Sequence, residues 1–150
     1  MTLEAILAYA HILAILTLVV FLASEAALCR GEWLNAQVVE RLAKVDAIVG
    51  VASIVVLATG VLRTWLGAKG MGWYWTNPLL HVKLTLFVIV GLLSIKPTLM
   101  FIRWRRELRA TGGLPAPEQI KLARRFVMVE AHLVALIPLA AVFLARGFGK

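Results

Sequence analysis

Four long runs of apolar residues divide the chain, and each is interrupted by only a few polar positions. A helix needs about 20 mostly apolar residues to cross the hydrocarbon core of a bilayer, and every run is long enough. The pattern therefore predicts an all-α fold, an integral membrane bundle of four transmembrane helices that forms a single domain over residues 1–150. The predicted spans are approximately 3–28, 46–66, 78–109 and 118–146.

The stretch between the first two runs has a different pattern. Between Arg30 and Lys44, apolar residues recur at helical spacing and alternate with charged ones: Trp33, Leu34, Val38 and Leu42 are apolar. Such a segment is typical of a helix that lies at the membrane surface with an aromatic ring at headgroup depth. We therefore expect a short amphipathic helix between spans one and two.

Glycine, proline and aromatic residues mark the start of the third span. The connector 67–76 holds three glycines and three consecutive aromatic residues, which predicts a flexible loop with an interfacial aromatic cluster. Asn77 then favours a helix N-cap, and Pro78 fits the first helical position because its missing N–H is not needed there. Pro97, inside the run, predicts a kink.

Composition agrees with a membrane protein. The chain is 61% hydrophobic with a mean hydropathy of +0.88, whereas soluble domains are nearer half apolar. Its net charge of +8 comes from basic residues at the ends of the runs, so we interpret them as topology determinants and lipid-headgroup contacts. A nucleic-acid partner is not expected. The single cysteine, Cys29, cannot form an intrachain disulfide.

The distribution of basic residues predicts an orientation. Most Lys and Arg residues lie near the connections after spans one and three, which share one side of the membrane. By the positive-inside rule that side is cytoplasmic. We therefore expect a multi-pass protein of the bacterial inner membrane with both termini on the periplasmic side.

The polar residues within the spans fall into two layers by depth. Near the cytoplasmic boundary lie Glu25, Asp46, Lys96, Arg103 and Glu130, with His132 somewhat deeper. One interpretation is that the acids pair with Lys96 and Arg103 and so fix the helix register. The other is a proton path, since intramembrane acids often relay protons.

The periplasmic layer is rich in cations and histidine. It contains His11, Arg63, His81, Lys83 and Arg146. Long basic side chains near helix ends can extend to the headgroups; otherwise an anionic ligand would offset the cost of burying them. His81 and Lys83 are about 200° apart around a helix, so they cannot both face the interior. We expect Lys83 to face inward and His81 to lie at the aromatic interface.

A porphyrin would satisfy this layer. Its propionates would pair with Arg or Lys, and an imidazole would bind its iron. Its flat ring would fit a cleft of small residues, and span two has a stripe of this kind near Asp46, with Gly50, Ser53 and Gly60. The alternative for His11 is a buried neutral ring that is hydrogen-bonded to a backbone carbonyl. The spacing between the histidines does not decide between the two.

Several segments resemble known families. YAHIL around His11, LATGVLR ending at Arg63, NPLLHVKL and especially SIKPTLMFIRWRR resemble an uncharacterised bacterial family of four-span inner-membrane proteins, a domain of unknown function, over nearly the whole chain. More distantly, His11 and the HVKL segment resemble the J-type membrane protoporphyrinogen oxidases. The His-rich end of that family's third span is absent here, and Glu130 is separated from the Ile-Pro pair of span four.

The distant resemblance implies haem b binding, with His11 as the iron ligand and Lys83 in ligation or porphyrin-carboxylate binding. The first hypothesis is therefore a haem b-associated redox protein that passes electrons to a membrane quinone. Its cofactor-binding residues would be His11, Arg63, Lys83 and His81. If the substrate is a porphyrinogen, His11 and Lys83 are the catalytic residues, with Lys83 as the base.

The second hypothesis is a non-enzymatic membrane protein, either a small transporter or an assembly subunit. Its buried charges would then serve only to hold the helices together. In either case a bundle of this size offers little interior, so a homo-oligomer with a shared site is an open alternative.

Overall fold

The computed structural model describes residues 2–67 and 70–148. Within them lie five α-helices and no strand: α1 (Thr2–Leu28), α2 (Ala36–Leu66), α3 (Met71–Trp75), α4 (Pro78–Thr111) and α5 (Pro117–Ala145). All except the short α3 are long and apolar enough to cross a membrane. The predicted all-α membrane bundle is confirmed.

The four long helices form a closed ring of neighbours. α1 packs against α2, α2 against α4, α4 against α5, and α5 against α1. Because consecutive spans run in opposite directions, the start of α1, the end of α5 and α3 lie at one end of the bundle, which we call the terminal end. The loops at 29–35 and 112–116 lie at the other, with Arg103, Arg105, Arg106 and Arg109, and we call it the basic end.

The predicted short amphipathic helix before span two does not exist as a separate element. The Asn35 side chain accepts a hydrogen bond from the Val38 N–H at 2.9 Å and caps α2, which then runs without a break to Leu66. Only Gly31–Trp33 forms a short 3-10 turn before it. No glycine or proline stands between residues 36 and 49, so nothing ends the helix where it passes from the surface into the membrane.

The connector before the third span is more ordered than the predicted loop. Met71–Trp75 form the single helical turn α3, while residues 68 and 69 lie outside the described part of the chain. Trp73 and Tyr74 are in edge-to-face contact, with ring centroids 5.0 Å apart. Further along, α4 is continuous through the buried Pro97.

Asn77 joins the start of α4 to the segment that follows α5. Its side chain is fully buried, and Oδ1 accepts a hydrogen bond from the Leu79 N–H at 2.9 Å, which makes it the N-cap. Its Nδ2 donates to the carbonyl oxygen of Phe148 at 3.1 Å. One side chain therefore fixes both the third span's entry and the position of the segment after α5.

We expect Asn77→Ala to destabilise the bundle by about 1 kcal/mol or more, because the cap is lost and two partly buried backbone groups lose a partner. Asn77→Ser retains a capping oxygen but lacks the amide that reaches Phe148, so it should restore part of the loss. Unfolding by a denaturing detergent measures this order. Equal stability of the alanine variant and the wild type would contradict it.

The best-packed part of the interior lies in the half of the bundle at the basic end. Phe101 and Trp104 are buried in edge-to-face contact at 5.3 Å, and the Trp104 indole donates to Gln119 Oε1 at 3.2 Å. Outward-facing Leu, Ile and Val side chains on all four long helices are exposed and therefore contact lipid.

Two contacts complete the basic end. Gly112 has a left-handed conformation (φ 72°), and its N–H donates to the Leu108 carbonyl at 2.9 Å, which ends α4. Nearby, the guanidinium of Arg109 on α4 forms two hydrogen bonds, of 2.6 and 2.9 Å, to the Glu40 carboxylate on α2. This ion pair joins the start of α2 to the end of α4.

Candidate functional site

The polar side chains inside the bundle form two separate groups. His11, Arg63 and Lys83 come from α1, α2 and α4 in the half nearer the terminal end, and we call them the histidine cluster. A second group, the acid cluster, contains Glu25, Asp46 and Glu130 from α1, α2 and α5 in the half nearer the basic end.

The hydrogen bonds around His11 define which ring nitrogen carries the proton. The ring is buried (7% exposed), and its Nδ1 lies 2.8 Å from Thr59 Oγ1. The Thr59 hydroxyl lies 2.6 Å from the Val55 carbonyl oxygen, to which it donates its only hydrogen. It must therefore accept from His11 Nδ1–H, which leaves Nε2 as the nitrogen with the free lone pair.

Gly60 allows the His11 ring to lie against α2. A Cβ added at Gly60 would be only 3.3 Å from His11 Cε1 and 3.9 Å from Nδ1. Any larger side chain would therefore press on the ring. Gly50, which the sequence placed on the same stripe of small residues, has no such neighbour and is exposed.

Lys83 and Arg63 add positive charge beside His11. Lys83 is half-buried and Arg63 is exposed, and each is close enough to interact electrostatically with the imidazole and with the other. An acid that the sequence interpretation omitted also lies on this side: Glu4 is seven residues before His11, about two helical turns closer to the terminal end on the same face. That spacing was visible in the sequence.

His81 lies outside the histidine cluster. It is exposed, and its Nε2 lies 2.9 Å from the Trp75 carbonyl oxygen, which can only accept. Its ring is also edge-on to the Trp75 indole at 6.3 Å. The structure thus places His81 at the aromatic interface and Lys83 toward the interior. Arg146 is exposed at the end of α5.

The acid cluster lies in the interior of the bundle, between the long helices. Glu25 and Glu130 are each 2% exposed and Asp46 is 8% exposed. Asp46 Oδ1 accepts a hydrogen bond of 2.8 Å from Thr98 Oγ1, so the fourth long helix also contributes. Glu25 Oε2 and Glu130 Oε1 are buried without a hydrogen-bond partner.

The predicted pairing of these acids with Lys96 and Arg103 is wrong for the residues that the structure describes. Lys96 is exposed, with its Nζ 5.0 Å from the centre of the Phe126 ring, and Arg103 is exposed as well. Thr98 is the residue of α4 that faces the acids. At about 100° per residue, Lys96 lies about 200° and Arg103 about 140° from it, so both point away.

His132 does not join the acid cluster either. It follows Glu130 by two residues, which turns it to the outer face of α5, where it is exposed. Its Nδ1 donates to the Met128 carbonyl oxygen at 2.6 Å, within its own helix. This hydrogen bond satisfies the ring locally.

Cys29 borders the acid cluster just beyond the end of α1. Its fully buried thiol donates to the Ile120 carbonyl oxygen at 3.8 Å. Burial, with a smaller contribution from the nearby Glu25, raises the pKa of the Cys29 thiol to about 12, so it stays uncharged at neutral pH. No group of three or more His, Cys, Asp and Glu residues in the described chain is arranged to hold a metal ion.

Comparison with known proteins identifies one relationship. Residues 3–149 match the model of a family described as "Predicted membrane protein (DUF2214)". No curated protein and no solved structure is detectably similar to the chain. The match covers all four membrane-spanning helices and both polar clusters.

Proposed function

We propose, from the premise that the chain belongs to the DUF2214 family of predicted membrane proteins, that it binds haem b through His11 and takes part in electron transfer within the membrane. The observation that carries the proposal is the hydrogen bond from His11 Nδ1–H to Thr59. It holds the imidazole in the tautomer whose Nε2 lone pair is free, and a neutral imidazole of this kind is a common haem ligand.

The residues around His11 fit a porphyrin in two further respects. Gly60 lets α2 lie close against the imidazole and so helps to fix its orientation. Arg63 and Lys83 provide positive charge for the two propionates, and Arg in particular suits carboxylate binding. His81 is the weaker ligand candidate, because its Nε2 already donates to the Trp75 carbonyl.

Bound haem b would supply one-electron redox chemistry at its iron. The chain's own residues would orient the group, with His11 at the iron and the two cations at the carboxylates. A membrane quinone is the electron acceptor that suits a site within lipid. A homo-oligomer that shares the site between copies stays a prediction.

A porphyrinogen is the substrate that this charge pattern favours within the proposal, since its carboxylates can pair with Arg63. Lys83 in its neutral form would accept a proton as the substrate loses hydrogen, and each pair of electrons and protons removed would convert one quinone into quinol. The test is porphyrin fluorescence from protoporphyrinogen and quinone with purified protein. A rate no faster than spontaneous oxidation would remove the enzymatic part of the proposal and leave haem binding.

Haem binding is tested by the visible spectrum of the purified wild-type protein after haem has been supplied during expression. We expect a Soret band that co-purifies with the chain. A colourless protein would overturn the proposal. The alternative would then remain, a non-enzymatic small transporter or assembly subunit whose buried charges only hold the helices together.

The proposed location is the bacterial inner membrane with both termini in the periplasm, because the basic end carries most of the positive charge. Alkaline phosphatase fused after residue 150 should be active and a fluorescent protein at the same position dark. The matched control is fusion in the loop at Gly113, where the fluorescent protein should be bright and alkaline phosphatase inactive. A fluorescent C-terminal fusion would reverse the orientation.

A further inference from the structure

We propose that Glu25, Asp46 and Glu130 form one intramembrane proton-binding site, in which the carboxyl groups share protons. This goes beyond the haem proposal and does not depend on it. The site lies in the opposite half of the bundle from His11 and uses none of the same side chains.

The convergence of these acids from separate helices distinguishes the site from a surface cluster. Each acid comes from a different helix, and Thr98 adds a hydroxyl from a fourth. All three carboxyl groups are more than nine-tenths buried. Two carboxylate oxygens, Glu25 Oε2 and Glu130 Oε1, have no hydrogen-bond partner, although buried polar atoms are normally paired. Protons bound to these carboxyl groups would supply the hydrogen bonds that the two buried oxygens lack.

The charges that face the site, taken helix by helix, contain no compensating cation in the described chain. α1, α2 and α5 each contribute one acid, α4 contributes the neutral Thr98, and the turn after α1 contributes the neutral thiol of Cys29. The half-buried Arg124 is directed to the carbonyl oxygen of Cys29 at 3.5 Å. Three ionised carboxylates cannot coexist cheaply in a low dielectric, so protons must neutralise part of the charge.

Protons fit the site better than a metal ion does. A proton needs only one carboxyl oxygen and a neighbouring acceptor, whereas a divalent cation needs several oxygens at fixed distances. The acids are not arranged in a group that could hold a metal ion, judged over residues 2–67 and 70–148. The aqueous side of the membrane nearest to these acids is the one at the basic end, because Glu25 is within one turn of the end of α1 at Leu28.

The first test uses the wild-type chain in lipid vesicles without haem. Dicyclohexylcarbodiimide is an apolar reagent that modifies protonated carboxyl groups inside membranes, and peptide mass mapping locates the product. We expect modification of Glu25 or Glu130 at neutral pH and none at the exposed Glu32 and Glu118. If no acid of the cluster reacts at any pH from mildly acidic to mildly alkaline, the carboxyl groups are ionised and the proposal fails.

The second test asks whether the groups share protons. Coupled acids titrate as a unit and shift one another by about 1 pH unit or more. Glu130→Gln should therefore move the pH midpoint of Glu25 modification by about tenfold in proton concentration, while Glu32→Gln should leave it in place. An unmoved midpoint in a folded Glu130→Gln protein would mean independent sites and would contradict the proposal.

A metal ion is the competing occupant, and the wild-type protein distinguishes it. Sodium or calcium chloride added at constant pH should leave carbodiimide modification unchanged, apart from the general effect of ionic strength seen with choline chloride. Protection by one metal cation alone would make this a cation site and overturn the proton assignment. Infrared detection of a protonated carboxyl stretch that disappears in alkali gives an independent readout, which needs no variant.

Discussion

His11→Ala is expected to abolish haem binding, with complete loss of the Soret band from protein purified in the presence of added haem. The reason is that His11 alone, among the three histidines, offers a nitrogen lone pair inside the bundle. Alanine removes that ligand, and the neighbouring cations cannot replace it at the iron. The measurement is absorbance per mole of folded protein.

The matched controls are His132→Ala and His81→Ala. Both side chains are exposed, and each ring is held by a backbone carbonyl, that of Met128 and that of Trp75. These variants should keep the wild-type spectrum. A Soret band that survives His11→Ala and disappears in either control would move the ligand to that histidine and contradict the site described above.

Gly60→Leu should reduce haem binding nearly as much as His11→Ala, although glycine has no side chain that could bind haem. Even a Cβ at this position would contact the His11 ring at 3.3 Å, so a leucine must displace the imidazole or separate α1 from α2. Overpacking of this kind typically costs about 1–3 kcal/mol. We expect a less stable protein that has lost most of its haem, measured by detergent unfolding and by absorbance.

The same helix offers a matched control. Gly50→Leu makes the same chemical change at an exposed position with nothing within 4 Å of the added Cβ, and it should leave stability and absorbance unchanged. Equal effects of the two substitutions would show that glycine itself, and not the contact with His11, matters at residue 60.

Hydrophobic patterning predicted the four long helices because lipid imposes a length and an apolar surface that can be read from sequence. It placed a boundary inside α2 where there is none. The change from an amphipathic to an apolar pattern near Asp46 marks the passage from surface to membrane, whereas a helix ends only where its backbone hydrogen bonds end. The hydrophobic pattern therefore shows where the chain enters the membrane, but not where a helix ends.

Depth along the helices was easier to predict than direction around them. The sequence predicts Glu25, Asp46 and Glu130 at one level, and in the structure all three are buried and close enough to interact electrostatically. Lys96 and Arg103 share that level but face outward, so the predicted ion pairs do not form. The 200° between His81 and Lys83 predicts that they face opposite ways, as they do in the structure. The direction of Lys96 has no such reference in the sequence, because the inward-facing Thr98 is recognised only from its contact with Asp46.

The sequence does not show which residues contact the site residues. Thr59 and Thr98 are small residues in apolar runs, and nothing in their own segments marks them, whereas Gly60 is marked only as one of several small residues on a stripe. They matter because helix packing brings Thr59 and Gly60 against His11 and Thr98 against Asp46. Contacts between residues about 50 positions apart depend on how the helices pack, which a single sequence does not state.

Whether a His11 nitrogen binds iron can be measured directly. A chain with His81→Ala and His132→Ala keeps His11 as its only histidine, since the sequence has three. This protein, labelled with nitrogen-15 histidine and loaded with haem, can be examined by pulsed electron paramagnetic resonance. We predict a strong nitrogen-15 hyperfine coupling to the haem iron. Bound haem without that coupling, or no bound haem, would contradict the assignment of His11.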